Sequence, residues 1–210
     1  MSLTLHFHPL SSFCMKVLVG LYELNVPFEK RIVDLSLEAE RAALRKLWPV
    51  GKFPVLRDEA RGVTVPETSV ILEYIDRGQL IPTDPELARE CRLRDRFYDL
   101  YVHVQMQKIV GDRLRPEGKR DPYGVDQAKA QIEAAYAIAD EWMAASPWAA
   151  GDTFTMADCA AAPALFYANK LVPFGDGRKH LAAYFVRLTE RPSFARVLRE
   201  AEPYMAMFPG

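Results

Sequence analysis

Cysteine is scarce in this chain of 210 residues, which holds only Cys14, Cys91 and Cys159. Three thiols so scattered make neither a disulfide framework nor a zinc site. An excess of one charge is missing too: 27 basic residues face 28 acidic ones, a net charge of −1. No basic field is therefore expected to grip a phosphate backbone, and nucleic acid is not an expected partner. No run approaches the ~18 apolar residues of a membrane span. The opening MSLTLHFHPL has no charged stretch leading into an apolar one, so neither a membrane nor a secretory leader is expected. Repeats and low-complexity tracts are also lacking. What is present is 50% hydrophobic residues, enough at this length for one or two domains with a sizeable core. A soluble, cytoplasmic protein is the expectation.

The first part of the chain alternates in type. Leu3 to Phe7 is short, apolar and aromatic and predicts a buried strand. Ser11-Ser12 opens a helix in which Val17, Leu18, Leu21 and Leu24 keep helical spacing, ending near Asn25 and Pro27. Phe28 to Leu35 reads as a second strand and Glu38 to Leu47 as a helix stopped at Pro49. Phe53 to Leu56 and Gly62 to Val65 read as two more strands, the latter ended by Pro66, which cannot donate to a ladder. A helix from Thr68 to Gly78 completes an α/β unit with a mixed sheet over residues 1–79. The turn-rich IPTDPE marks a linker at residues 80–85, and residues 86–210 read as all-helical. A long helix runs through Leu93, Phe97, Leu100, Tyr101, Val104 and Val110 to Pro116. Another spans Ala128 to Trp142, with further helices near 155–171, 178–190 and 193–201.

Three places carry chemistry. Ser11-Ser12-Phe13-Cys14 lies where the first strand hands over to the first helix. A helix N-terminus presents unpaired N–H groups and partial positive charge, which favour an anion. A thiol there has its pKa lowered from ~8.5 into a range of about 3.5–7.5, and a serine hydroxyl can donate to the thiolate. The plainer reading is an ordinary serine N-cap. Phe53-Pro54 opens a strand, where a cis bond would leave the preceding N–H and C=O to an extended ligand and a trans bond would open an edge strand. Pro66-Glu67-Thr68 sets an acid and a hydroxyl at another helix start. That pair either caps the helix or forms a polar nest for an amino-acid head group.

Taken together, an S-x-x-C step, an x-Pro strand and a Glu-Thr helix start, followed by a helical domain, resemble the cytosolic glutathione transferases over essentially the whole chain. Gly151-Asp152-Thr153-Phe154-Thr155-Met156-Ala157-Asp158 matches the GDxxTxAD motif of that family. Thr155 and Asp158 stand there in capping-box relation, a folding element and not a site, and Pro163 inside the next helix also fits. The resemblance implies a thioredoxin-like N-terminal domain (1–79) binding glutathione and an all-α C-terminal domain (86–210) forming the acceptor pocket. Zeta- and tau-like members read SSCSWRV or SPFSMRV where this chain reads SSFCMKV. Ser11 thereby takes the place of the hydroxyl that steadies the glutathione thiolate. Lys52 falls where relatives contact the glycine carboxylate, Phe53 would offer its backbone to the cysteinyl unit with Pro54 cis, and Glu67 and Thr68 match the pair holding the γ-glutamyl group. The implied reaction is attack of the thiolate on a small hydrophobic electrophile, a detoxification chemistry. Glutathione is its co-substrate, no other cofactor is needed, and a homodimer is expected.

Some residues depart from the pattern. The first strand reads LTLHFH and has no tyrosine, so the tyrosine-dependent classes match poorly. Cys14 fills the second place of a C-x-x-C motif whose first place is Ser11. That rules out a dithiol mechanism at this motif but leaves a glutathione mixed disulfide open as an alternative, as is a non-catalytic ligand-binding protein. A buried Cys14 would be an inert small hydrophobe. Phe13, His103, Met106 and Gln107 are the candidates for the acceptor pocket, the last three from the long helix. His6 and His8 share a face of the first strand without further ligands of suitable spacing, so no metal is expected. Arg89, Arg92, Arg94 and Arg96 read as a solvated face or a dimer contact. The apolar tail Tyr204 to Phe208 either packs on the helices or covers the pocket.

Overall fold

A computed structural model describes residues 3–209. Strand β1 (Leu3–Phe7) is followed by helix α1 (Ser12–Glu23), β2 (Glu29–Ile32), α2 (Glu38–Leu47), β3 (Val55–Asp58), β4 (Val63–Pro66) and α3 (Thr68–Ile75). The sheet order is β2-β1-β3-β4, with β1 parallel to β2 and antiparallel to β3, and β3 antiparallel to β4. Leu5 lies opposite Lys30 on one side and Leu56 on the other. Leu3, Leu5 and Phe7 point inward while Thr4 and His6 are less buried, the period-2 pattern of a half-covered strand. This is the α/β unit with a mixed sheet that the alternation of elements implied, in the thioredoxin-like form that the resemblance implied. The second strand is shorter than Phe28 to Leu35 and exposed throughout, because it is an edge strand; Val33, just past its end, is buried in a small cluster with Leu44 and Val55.

The remainder is helical: α4 (Pro85–Phe97), a π-helical turn (Tyr98–His103), α5 (Val104–Arg113), α6 (Pro122–Ala145), α7 (Met156–Leu171), α8 (Lys179–Glu190), α9 (Pro192–Ala201) and a 3₁₀ tail (Glu202–Met207). Helix α7 is the hub, and its alanines are buried. Thr155 and Asp158 form the expected capping box, and the Asp158 carboxylate also accepts from the Ala149 N–H at 2.8 Å and the Tyr184 hydroxyl at 2.6 Å. A fully buried carboxylate needs such partners to offset its desolvation. Helix α1 packs on α7 and α3. A Cβ at Gly20 would overlap the Leu72 side chain, so glycine there permits the close approach of α1 to α3.

The long helix differs most from expectation. Phe97 is buried as its spacing implied, but Leu93, Leu100 and Tyr101 are exposed, and the inner face is otherwise built by Cys91, Asp95, Tyr98, Asp99, Val102, His103, Met106 and Ile109. Asp95 and Asp99 are buried on that face because Lys16 of α1, itself fully buried, bridges them at 2.7 and 2.8 Å. The π-helical turn also inserts a residue into the 3.6-residue period, rotating everything after it by about 100°.

Candidate glutathione site

Helix α1 begins at Ser11, an N-cap with extended backbone (φ −72°, ψ 116°) whose Oγ accepts the Cys14 N–H at 3.3 Å. The Ser11 N–H itself donates to the His8 carbonyl at 3.0 Å. A hydroxyl that accepts this way still has its proton to donate. The N-cap reading of the motif is thus observed, and the Ser11 hydroxyl proton is not spent on that cap. Cys14 is fully buried, and burial pushes its thiol up to about 12 against the pull of Ser11. Desolvation outweighs the hydrogen bonding to Ser11 and the His8 backbone there. The lowered pKa expected of a thiol at this position is not found, and the mixed-disulfide alternative lacks an accessible sulfur.

A cleft of about 520 Å³ lies between the α/β unit and the long helix. From the α/β unit it is walled by Phe13, Trp48, Lys52, Phe53, Pro54, Glu67, Thr68, Ser69 and Val70, and from the helical side by Arg96, Asp99, Leu100, Val104 and Gln107. Lys52, Phe53, Pro54, Glu67 and Thr68 thus share one wall although they come from two chain segments. The Phe53–Pro54 peptide is cis. Phe53 precedes the ladder, whose first pair is Val55 with Pro66, so its backbone is not spent on the sheet. Glu67 is held at φ 68°, one of two non-glycine residues with positive φ among those described. Such strain costs on the order of 1–3 kcal/mol and gathers at ligand clamps; it points the exposed carboxylate outward while Thr68 is buried behind it.

Ser11 is half-buried and does not line the cleft; Phe13, two residues on, does. The His8 ring stacks over Phe53 at 6.3 Å between centroids and meets Tyr204 of the tail edge-on at 5.4 Å. The loop carrying Ser11 therefore borders Phe53. The tail crosses this loop: Tyr167 donates to the Leu10 carbonyl at 2.9 Å and packs against Phe208 at 5.0 Å. It covers the β1–α1 loop and is not a wall of the cleft.

Of the four acceptor-pocket candidates, Phe13 and Gln107 line the cleft. His103 and Met106 do not: both are buried in the core, turned inward by the π-helical turn. Trp48, Arg96, Leu100 and Val104 line it unforeseen. Arg96, Leu100, Val104 and Gln107 follow one another at spacings of four, four and three, a signal the sequence did hold. The arginine run is largely paired within the chain, Arg92 with Glu73 at 2.9 Å and Arg96 with Asp99 at 3.5 Å, while Arg94 lies over the Trp142 ring and is mostly buried. Among the described residues, no group of three or more His, Cys, Asp or Glu stands close enough together to hold a metal ion. No helix among the described residues is long and apolar enough to cross a membrane.

Comparison with known proteins agrees with this geometry. Residues 5–79 match the family model for the glutathione S-transferase N-terminal domain, and residues 97–192 match that for the C-terminal domain. The chain is 26% identical over 192 residues to glutathione S-transferase GstB of Escherichia coli K12, covering 87% of this chain and 91% of that one. It superposes on a glutathione S-transferase from Methylobacillus flagellatus, solved with glutathione bound, at a TM-score of 0.86 with 23% identity over 93% of this chain and 98% of that one. A glutathione S-transferase from Methylobacterium radiotolerans, in complex with glutathione sulfonate, gives 0.81 with 26% identity over 94% of each chain. A thioredoxin-like unit with a cis proline and a strained acid facing one cleft, backed by a capping-box helix and matched by both domain models, makes this chain a member of the glutathione S-transferase family.

Proposed function

We propose that the protein is a serine-type, tau/zeta-like glutathione transferase that activates the thiol of glutathione for attack on a small hydrophobic electrophile. Residues 1–79 bind the tripeptide, 80–85 link, and 86–210 supply the acceptor side. The observation carrying this reading is the shared wall of Lys52, Phe53, Pro54, Glu67 and Thr68. An extended γ-glutamyl tripeptide lies along it with its glycine carboxylate at Lys52. Its cysteinyl backbone pairs with the unspent N–H and C=O of Phe53. At the far end Glu67 takes the α-ammonium, and Thr68 with the N-terminal amides of α3 takes the α-carboxylate. The thiol then faces the start of α1, where the helix dipole and the Ser11 hydroxyl favour the thiolate. The sulfur attacks the electrophile, whose leaving group or carbanion takes up the displaced charge; Ser11 donates a hydrogen bond and forms no covalent bond. Phe13, Val104 and Gln107 would contact the electrophile, an apolar surface with a single amide. Glutathione is the co-substrate and no cofactor takes part.

A homodimer fits the exposed apolar side chains of Val70, Leu93, Leu100 and Tyr101, carried by α3 and the long helix, which Glu73 and Arg92 tie together. A cytoplasmic setting fits the free, buried thiols. Calorimetric titration with glutathione tests the site: one saturable site is expected, weakened at least about tenfold in Glu67→Ala, as loss of a charge-assisted contact requires. Undiminished affinity in that variant would remove the γ-glutamyl assignment, and no binding at all would overturn the reading.

A further inference from the structure

His103 is fully buried on the inner side of the long helix, and its position there follows from the π-helical turn that it ends. It touches the start of α1 twice. Its Nε2 is hydrogen-bonded to the hydroxyl of Ser12, the residue directly after the N-cap. Its ring also stacks on Phe13 with centroids 3.7 Å apart and planes 19° from parallel. Nδ1 has no partner among the described residues. Burial, helped by the nearby Lys16 ammonium, holds the imidazole down at about 3, so it is neutral at any working pH. A neutral ring with one unpaired nitrogen costs less if that nitrogen is an acceptor than if it is an N–H, since orphaned buried N–H groups are the rarer kind. On that ground Nε2–H donates to Ser12 Oγ and Nδ1 carries the lone pair.

Phe13 also lines the cleft. One side chain from the helical domain thus grips both residues that follow Ser11, one by hydrogen bond and one by stacking. An unpaired buried polar atom is retained at a cost to stability, and an apolar ring of similar size would avoid that cost and still stack.

We propose that His103 is a positioning residue: by holding Ser12 and Phe13 it fixes the first turn of α1 so that the Ser11 hydroxyl and the helix amides meet the glutathione sulfur. It does not touch substrate. The inference rests on the thiol-activation reading above and deepens it. A thiolate donor displaced by a fraction of an ångström loses much of its effect, because charge-assisted hydrogen bonds depend steeply on distance and angle. The two grips are separable. His103→Phe keeps the stack and loses the hydrogen bond, while His103→Gln keeps a donor for Ser12 and loses the ring.

The experiment follows the ultraviolet absorbance of the bound glutathione thiolate against pH in wild type and in both variants, with S-methylglutathione affinity measured alongside. S-methylglutathione has no thiol proton and reads the peptide subsite alone. The expected result is a thiolate fraction about tenfold lower in His103→Phe at pH values below the wild-type midpoint, a rise of about one pKa unit. The rate profile should move by the same amount, S-methylglutathione affinity should be unchanged, and His103→Gln should recover part of the loss. A structural role would lower stability without moving the midpoint. A lowered midpoint in wild type that stays put in both variants would overturn the inference and leave the activation reading intact. A wild-type midpoint equal to that of free glutathione would overturn the activation reading itself. Should either variant fail to fold, Ser12→Ala removes the same hydrogen bond from the other side, with the same midpoint shift expected and the same overturning result.

Discussion

A serine oxygen at a helix N-cap can accept one N–H and still donate its own proton, and Ser11 uses the first half of that capacity on Cys14. Capping and thiol activation are thus compatible, which is why the motif could be read either way from sequence. Cys14, three residues on, shows the opposite balance: the same helix terminus acts on it, but burial dominates and holds its thiol protonated. Cys14→Ala is expected to leave turnover within about twofold and to cost ~1 kcal/mol of stability, the loss of one small buried group. A large fall in turnover without unfolding would restore a redox role for this thiol. Glu67 and Thr68 were legible as a helix-start pair, but the positive φ of Glu67 was not. Nothing in a glutamate announces a left-handed backbone; the strain comes from the junction of β4 with α3.

Between elements, the main joint is Lys16 of α1, paired with Asp95 and Asp99 of the long helix, while Ser69 of α3 accepts from Lys16 at 3.0 Å. Burial works against the ammonium, yet the two carboxylates outweigh it and raise its pKa. Replacing Lys16 by Met would strand two buried carboxylates and should cost ~3–5 kcal/mol in urea denaturation. Breaking the exposed Arg89–Glu86 pair should cost less than ~1 kcal/mol. Equal effects would mean that the buried joint is not holding the units together. Strands and helices of the α/β unit follow from period and turn chemistry, and the helix starting at Met156 from its capping box. In the long helix the π-helical turn breaks the period, so Leu100 and Tyr101 are exposed, and His103 and Met106, acceptor-pocket candidates by sequence, lie in the core.

For the molecule as a whole, burial of neutral histidine makes stability depend on acid. His103 is held at about 3 and His6 and His8 are also lowered, each first by desolvation. The unfolded chain binds these protons below pH ~6.5 and the folded chain does not. The stabilisation is therefore complete above pH ~6.5 and lost as pH falls toward 3, with a slope from His103 approaching ~1.4 kcal/mol per pH unit. His103→Phe should flatten that slope, and an unchanged slope would mean that the ring is not buried as described. The apolar face of Val70, Leu93, Leu100 and Tyr101 predicts association. Tyr101→Glu should shift the protein from dimer to monomer on size exclusion, and a wild type that is monomeric at micromolar concentration would contradict the proposed pairing. Composition and spacing do not bring the walls of the cleft together, because residues 48–70 and 96–107 meet only through packing; the family resemblance alone pointed to residues of both. Whether this cleft activates glutathione is decided most directly by titrating the thiolate absorbance of glutathione bound to wild type and to Ser11→Ala. The predicted result is a wild-type midpoint about two units below that of free glutathione, worth ~2.7 kcal/mol from the helix terminus and the hydroxyl together, and a higher midpoint in Ser11→Ala with binding retained. An unshifted midpoint in wild type, or the same lowered midpoint in both proteins, would contradict it.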